Sequence, residues 1–253
     1  MGDSFPAPPD PIRPGSFIST GMPELDSMMG SGLPRGRIVE VYGPAGCGKT
    51  TLALNWIAAA QKLQATAVFV DVDRALDLKW ARDCGVDLQE LVLLGPDSGP
   101  EAVSMVEALL RTFSVDLVIV DSAASLVSAE ELEASLEDAP MDLQLDFVSR
   151  SLRRLHALVG RGPCSLVFLN QARTGRPDSP PAGVCHRALG LYSSIRLRMD
   201  PRPGGVALIS EKNKFAEPFA ITLLDRQGAR FVSVARKDAG REGLKSKAAR
   251  HIV

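Results

Sequence analysis

Short apolar runs recur along the chain at residues 37–42 (RIVEVY), 67–71 (AVFVD), 91–94 (LVLL), 116–121 (DLVIVD) and 165–170 (SLVFLN). They are separated by amphipathic helical stretches. Nearly continuous β-branched runs alternating with helices are what a parallel sheet buried on both faces requires. After about residue 188 the helical pattern stops, and strand-like segments follow at 192–199, 205–210, 219–224 and 230–234. Gly204-Gly205 and Gln227-Gly228 supply turns between them, which predicts an antiparallel extension of the sheet. The predicted class is α/β, a mostly parallel central sheet flanked by helices, extended antiparallel at its C-terminal end.

The two ends depart from this pattern. Residues 1–16 carry five prolines, which remove backbone donors and block helix formation, so they read as an extended or disordered arm. Residues 235–253 hold Arg236, Lys237, Arg241, Lys245, Lys247 and Arg250 against only Asp238 and Glu242. Such a basic tail is either a solvated end or a patch for nucleic acid. Between them, residues 17–234 form a single core, and 253 residues at 45% hydrophobic are enough to fill one.

A formal net charge of -1 excludes binding to polyanions through bulk charge alone, so any nucleic-acid site must be a local patch. Cys47, Cys84, Cys164 and Cys185 form no C-x-x-C pair, which suits neither a disulfide framework nor a zinc site. With no leader pattern and no run long enough to span a membrane, the expectation is a cytoplasmic protein without a membrane partner.

The sharpest chemistry lies at residues 43–50, GPAGCGKT, which satisfy G-x-x-x-x-G-K-[ST] between a strand and a helix starting near Thr50. There Gly43, Pro44, Ala45, Gly46, Cys47 and Gly48 form a turn whose glycines let the backbone N–H groups, which Pro44 alone lacks, converge on phosphate oxygens, and the helix start at Thr50 and Thr51 adds its positive end. Lys49 reaches the terminal phosphates, and Thr50 offers its hydroxyl to Mg²⁺. This predicts a nucleoside triphosphate site. Asp121, where an apolar strand ends, fits either the magnesium shell or a helix cap, and the neighbouring phosphate loop favours the metal.

Several further segments resemble the ATPase core of the RecA family of DNA recombinases. They are residues 18–26 (ISTGMPELD), 32–52 (GLPRGRIVEVYGPAGCGKTTL), 75–87 (ALDLKWARDCGVD), 118–126 (VIVDSAASL), 168–173 (FLNQAR) and 212–219 (KNKFAEPF). They occur in the family's order with nearly its spacing from about residue 16 to 225. The resemblance implies ATP and Mg²⁺ as ligands and places Asp73 where the family has a glutamate that orients the attacking water. It puts Asp77 and Trp80 at the adenine, Gln171 at the γ-phosphate, and Lys212 and Lys214 at the ATP of a neighbouring subunit. In the acidic stretch FVDVDRALD at 69–77, Asp71 then ends a strand, Asp77 opens a helix and Asp73 faces the phosphates.

For DNA, the resemblance points to a first loop at 132–141 with the helix 141–155, where Met141 and Arg153 match family positions. Asp146 stands where the family tends to have arginine, which turns an attraction for phosphate into a repulsion. Arg150, Arg153 and Arg154 suit a solvated helix face as well as DNA contact. The second loop, 174–186, is short and proline-rich. Arg173 and Arg176 keep phosphate contact open there, but the stacking side chain is gone.

Single-stranded DNA is the partner implied, together with a homo-oligomer or a full-length recombinase. A short arm where the family has a docking helix, and a tail where it has a small domain, weaken open polymerisation, which needs two different fitting surfaces. Two functions follow from the resemblance: a DNA-dependent ATPase in recombination or repair, or a filament-incompetent paralogue regulating a recombinase or mutagenic repair polymerase.

Overall fold

A computed structural model of the chain describes residues 16–126, 141–171 and 184–234. A small antiparallel pair, β1 (Phe17–Ile18) and β2 (Leu33–Pro34), flanks α1 (Pro23–Met29). The main sheet is built from β3 (Arg37–Gly43), β4 (Ala67–Asp71), β5 (Val92–Leu94), β6 (Leu117–Asp121), β7 (Ser165–Gln171), β8 (Ile195–Arg202), β9 (Gly205–Asn213), β10 (Ile221–Gln227) and β11 (Arg230–Ser233). Their order in space is β11-β10-β9-β8-β3-β7-β6-β4-β5.

Strands β3 to β7 run parallel, as the alternation of apolar runs and helices predicts. The antiparallel extension is also present, but it begins one strand later than expected, because β8 pairs parallel to β3 and only β9 reverses direction. Helix also persists further, to Tyr192, in α6 (Val184–Tyr192). Cys185, Ala188, Leu189 and Tyr192 fall at i, i+3, i+4 and i+7 and pack into the core beneath the sheet, which holds those residues as helix. At the other end of the extension, Phe219 is exposed with φ at 62°, so β10 starts at Ile221 rather than at 219.

Alternate residues of the central strands feed two separate cores. Val39, Val41, Phe69, Ile119 and Leu169 point to the side covered by α2 (Lys49–Lys62) and α3 (Leu78–Asp83). Val68, Val70, Val118, Val120 and Phe168 point to the side of α4 (Gly99–Thr112), α5 (Met141–Val159) and α6. Neither face of the central strands β3, β4, β6 and β7 meets water, so these strands read as unbroken apolar runs. Helix α4 opens on Ser98, whose hydroxyl accepts from Glu101 N at 3.3 Å. Among the described residues, no helix is long and apolar enough to cross a membrane.

Parallel pairing brings several chain ends to one edge. Gly43 lies opposite Gln171, and Asp71 lies opposite Asp121. The carboxyl ends of β3, β4, β6 and β7 therefore form one rim, where ligands of open α/β sheets collect.

Candidate nucleotide site

The loop after β3 turns back through Gly46 (φ 73°) and Gly48 (φ 96°), both in the left-handed region that side chains disfavour. A Cβ on Gly48 would stand 2.9 Å from the ring of Phe231 on β11. Lys49, the first residue of α2, folds its buried ammonium onto the loop, donating to Gly43 O at 3.0 Å and Pro44 O at 2.9 Å. The loop thus carries its cation beside backbone N–H groups at a helix start, a concavity suited to phosphate.

Facing this loop, the Thr50 hydroxyl donates to Asp121 Oδ2 at 2.7 Å. Burial pushes the Asp121 carboxyl up to about 6; the Thr50 bond opposes that push, Asp73 and Asp71 add to it, and Lys49 counters it. A hydroxyl and a carboxylate at a phosphate loop are the hard oxygen donors Mg²⁺ takes when a nucleotide completes its shell. Among the described residues, no three His, Cys, Asp or Glu side chains are grouped to hold a metal by themselves. The donor set fits a metal shared with bound phosphate.

The three aspartates of the 69–77 stretch separate. Asp71 accepts from Ala75 N (3.1 Å) and Leu76 N (2.9 Å) and fixes the turn after β4. Asp77 caps α3, accepting from Lys79 N at 2.8 Å and Trp80 N at 3.1 Å, so its effect on the cleft passes through the placement of Trp80. Asp73 is exposed at the rim, and its Oδ1 accepts from the hydroxyls of Ser122 and Ser125. Ser122 follows Asp121 directly and Ser125 ends the single helical turn after it, and no sequence pattern marks either serine.

Trp80 donates its indole N–H to Thr51 Oγ1 at 3.1 Å, which pins the ring against the start of α2. The resulting cleft, about 340 Å³, is lined by the phosphate loop together with Asp71, Asp73, Trp80, Asp121, Gln171 and Arg226. The predicted positions Lys49, Thr50, Thr51, Asp73, Trp80, Asp121 and Gln171 therefore meet with the loop in one hollow of ligand size. Arg226 was missed. It sits far along the chain on β10, and no local pattern marks it.

Lys212 and Lys214 lie apart from the cleft, around the far end of β9. Lys212 donates to Gly190 O at 2.7 Å and so caps the end of α6, while Lys214 is exposed. Burial holds the Lys212 ammonium below its ordinary value, helped by Lys214 and Arg196. On α5, Arg153 is exposed, whereas Arg154 bonds the buried Glu107 of α4 at 2.8 Å. The pairing of Arg154 is structural. Arg173 and Arg176 lie outside the described residues, as do the side chains of Met141 and Asp146.

Behind the rim sits a buried ionic cluster that the sequence did not reveal. Glu40 of β3, fully buried, accepts from Arg196 Nε at 2.5 Å and from Asn170 Nδ2 at 2.9 Å, and His186 Nδ1 stands 3.4 Å away. The cluster ties β3, β7, β8 and α6 together beside Gln171.

Sheet order, phosphate loop and carboxylate rim together define a RecA-like P-loop fold. The model of the RecA N-terminal domain matches residues 14–223, and the chain belongs to that family. It is 41% identical over 225 residues to Protein RecA of Heliobacterium modesticaldum, covering 82% of this chain and 64% of that one. Protein RecA of Clostridium acetobutylicum is 40% identical over 219 residues, covering 80% and 62% respectively. The chain thus spans less than two thirds of the length of these relatives. A solved structure described as the RadB recombinase shares the fold, with a TM-score of 0.69 at 24% identity, over 86% of this chain and all of that one.

Proposed function

We propose that this chain binds ATP with Mg²⁺ and hydrolyses it, as the nucleotide-driven core of a protein that binds single-stranded DNA in recombination or repair. The observation that carries this reading is the meeting of Lys49, the Thr50–Asp121 pair and Asp73 in one cleft. The Lys49 ammonium would leave the loop carbonyls for the triphosphate and offset its charge, while the loop N–H groups fix its position. Bound Mg²⁺ supplies charge neutralisation at the phosphates. Asp73, steadied by Ser122 and Ser125, orients water at the exposed side of the cleft.

Lys212 and Lys214 do not line the chain's own cleft, which suits a role toward a neighbour's nucleotide in a homo-oligomer or beside a full-length recombinase. ATP hydrolysis measured with and without single-stranded DNA at low salt tests the proposal, and we expect stimulation of several-fold. No stimulation removes the DNA-dependent part. A rate unchanged by Asp73→Ala removes the assigned water-orienting residue.

A second reading rests on the reach of Asp73, one methylene short of glutamate. Displacements of about 1 Å matter greatly to catalysis, so nucleotide would act mainly as a conformational ligand of a regulatory paralogue. Light scattering with ATP and DNA separates the two, since the regulator stays small under all conditions.

A further inference from the structure

The two oxygens of the Asp73 carboxylate have different surroundings. Oδ1 accepts from the Ser125 hydroxyl and, at 3.4 Å, from the Ser122 hydroxyl, and the two hydroxyls lie 3.2 Å apart. Two donors fill the lone-pair positions of that oxygen. Among the described residues, Oδ2 has no donor. Asp73 lines the cleft and neither serine does, so the hydroxyls hold the carboxylate from outside the hollow.

The backbone fixes where Asp73 stands but not where its side chain points. Val72 N donates to Asp121 O at 2.7 Å and Asp73 N to the same oxygen at 3.4 Å, which anchors the turn to the end of β6. On the other side, Arg74 adopts φ of 50°, and its guanidinium donates to Gly95 O at 2.8 Å and pairs with Asp97, which ties the turn to the segment between β5 and α4. The Asp73 side chain is exposed, and an exposed carboxylate spreads over several rotamers unless a partner selects one. Asp121 lies near enough for the two carboxylates to repel each other, so the selecting partner has to be a donor. Ser125, at the end of the single helical turn after β6, is that donor.

We propose that Ser125 is a positioning residue for hydrolysis: it ties down Oδ1, with Ser122 behind it, so that Oδ2 alone takes the attacking water. Asp73 is the group that touches the water, and Ser125 acts only through Asp73. The pair offsets the missing methylene by removing freedom rather than by adding reach, since a short carboxylate held in one orientation presents the same acceptor at every turnover. This assignment rests on the cleft being an ATPase site in which Asp73 orients water, and it adds what orients Asp73.

Steady-state ATP hydrolysis and equilibrium ATP binding, each with Mg²⁺ and single-stranded DNA, are measured for the wild-type chain, Ser125→Ala, Ser125→Thr, Asp73→Ala and the double variant Asp73→Ala with Ser125→Ala. We expect Ser125→Ala to lower kcat about tenfold while the ATP dissociation constant stays within about twofold. Ser125→Thr keeps the hydroxyl and should hold kcat within about threefold of the wild type. In the Asp73→Ala background, Ser125→Ala should change the residual rate by less than about twofold, because the group it positions is gone. Should Ser125→Ala fail to fold, Ser125→Cys takes its place with the same expected loss, since a thiol keeps the size and donates only weakly. An unchanged kcat in the alanine variant overturns the assignment. A loss that persists undiminished without Asp73, or that threonine does not repair, overturns it too, because each marks a general effect on the turn. A chain that hydrolyses ATP and is slowed by Asp73→Ala but not by Ser125→Ala removes the positioning role alone. A chain that binds ATP without hydrolysing it removes the reaction and the assignment together.

Discussion

The hydroxyl of Thr50, in the first turn of α2, donates to Asp121 Oδ2 at the end of β6 across 2.7 Å. That bond holds together the two oxygen groups proposed to serve Mg²⁺. Replacing Thr50 by Ala or Asp121 by Asn should lower nucleotide affinity in the presence of Mg²⁺ by about tenfold or more, and much less in EDTA. Calorimetric titration with and without the metal checks it.

The same carboxylate makes metal-dependent binding sensitive to pH. Burial raises Asp121 to about 6, so below that value it carries a proton where the metal needs an anion. Mg²⁺-dependent nucleotide affinity should fall as pH drops from 7 through 6. Folding runs the other way: the native state holds this proton more tightly than the unfolded chain, so the group's stabilising effect is present below its ordinary value of 3.8 and lost as pH rises to about 6. Asp121→Asn should flatten both profiles, read by titration and by melts of the nucleotide-free protein.

Asp73 tests the hydrolytic step. Asp73→Ala should lower kcat by about a hundredfold or more while leaving the ATP dissociation constant within about twofold, because its assigned contact is with water rather than with nucleotide. Asp73→Glu restores the missing methylene, and its kcat should equal or exceed that of the wild type. A steady-state assay paired with equilibrium binding separates the two constants.

Gly48 should tolerate no side chain. Alanine there meets both φ at 96° and the Phe231 ring at 2.9 Å, a double penalty on the turn that shapes the phosphate loop. Gly48→Ala should abolish nucleotide binding and lower stability by about 1–3 kcal/mol. Gly48→Ala with Phe231→Ala relieves only the contact, so binding should stay lost, as a fluorescent-nucleotide titration will show.

The Glu40–Arg196 pair should matter for stability. Removing Arg196 strands a buried carboxylate with Asn170 and His186 as its remaining partners, so Arg196→Met should cost about 3–5 kcal/mol. Pairing it with Glu40→Leu removes the stranded charge and should recover much of that loss. Denaturant unfolding of both variants measures the difference.

How much of the molecule was legible in the sequence depended on how local each feature is. The run at 117–120 reads as a buried strand because each of its residues packs on one face or the other of the sheet, and every position carries that requirement. The phosphate loop reads from eight consecutive residues, since turn, donors and lysine all come from one piece of backbone. Asp77 as a helix opener was equally plain, because a cap bonds N–H groups two and three residues away. The direction of β8 was not legible: an amphipathic strand looks the same whether its neighbour runs with it or against it. The end of α6 was misjudged because the short run between Ala188 and Tyr192 suits helix or strand until the core beneath it decides.

By itself the sequence determined the class of fold, the phosphate loop and the acidic strand ends, because these depend on periodicity and on backbone geometry over a few neighbouring residues. Only the tertiary structure decided that Ser122 and Ser125 hold Asp73, that Arg226 stands over Trp80, that Lys212 caps α6, and that Glu40 gathers Arg196, Asn170 and His186. Those relationships join side chains from different strands and helices, and their distances exist only once the order of strands has brought the elements side by side.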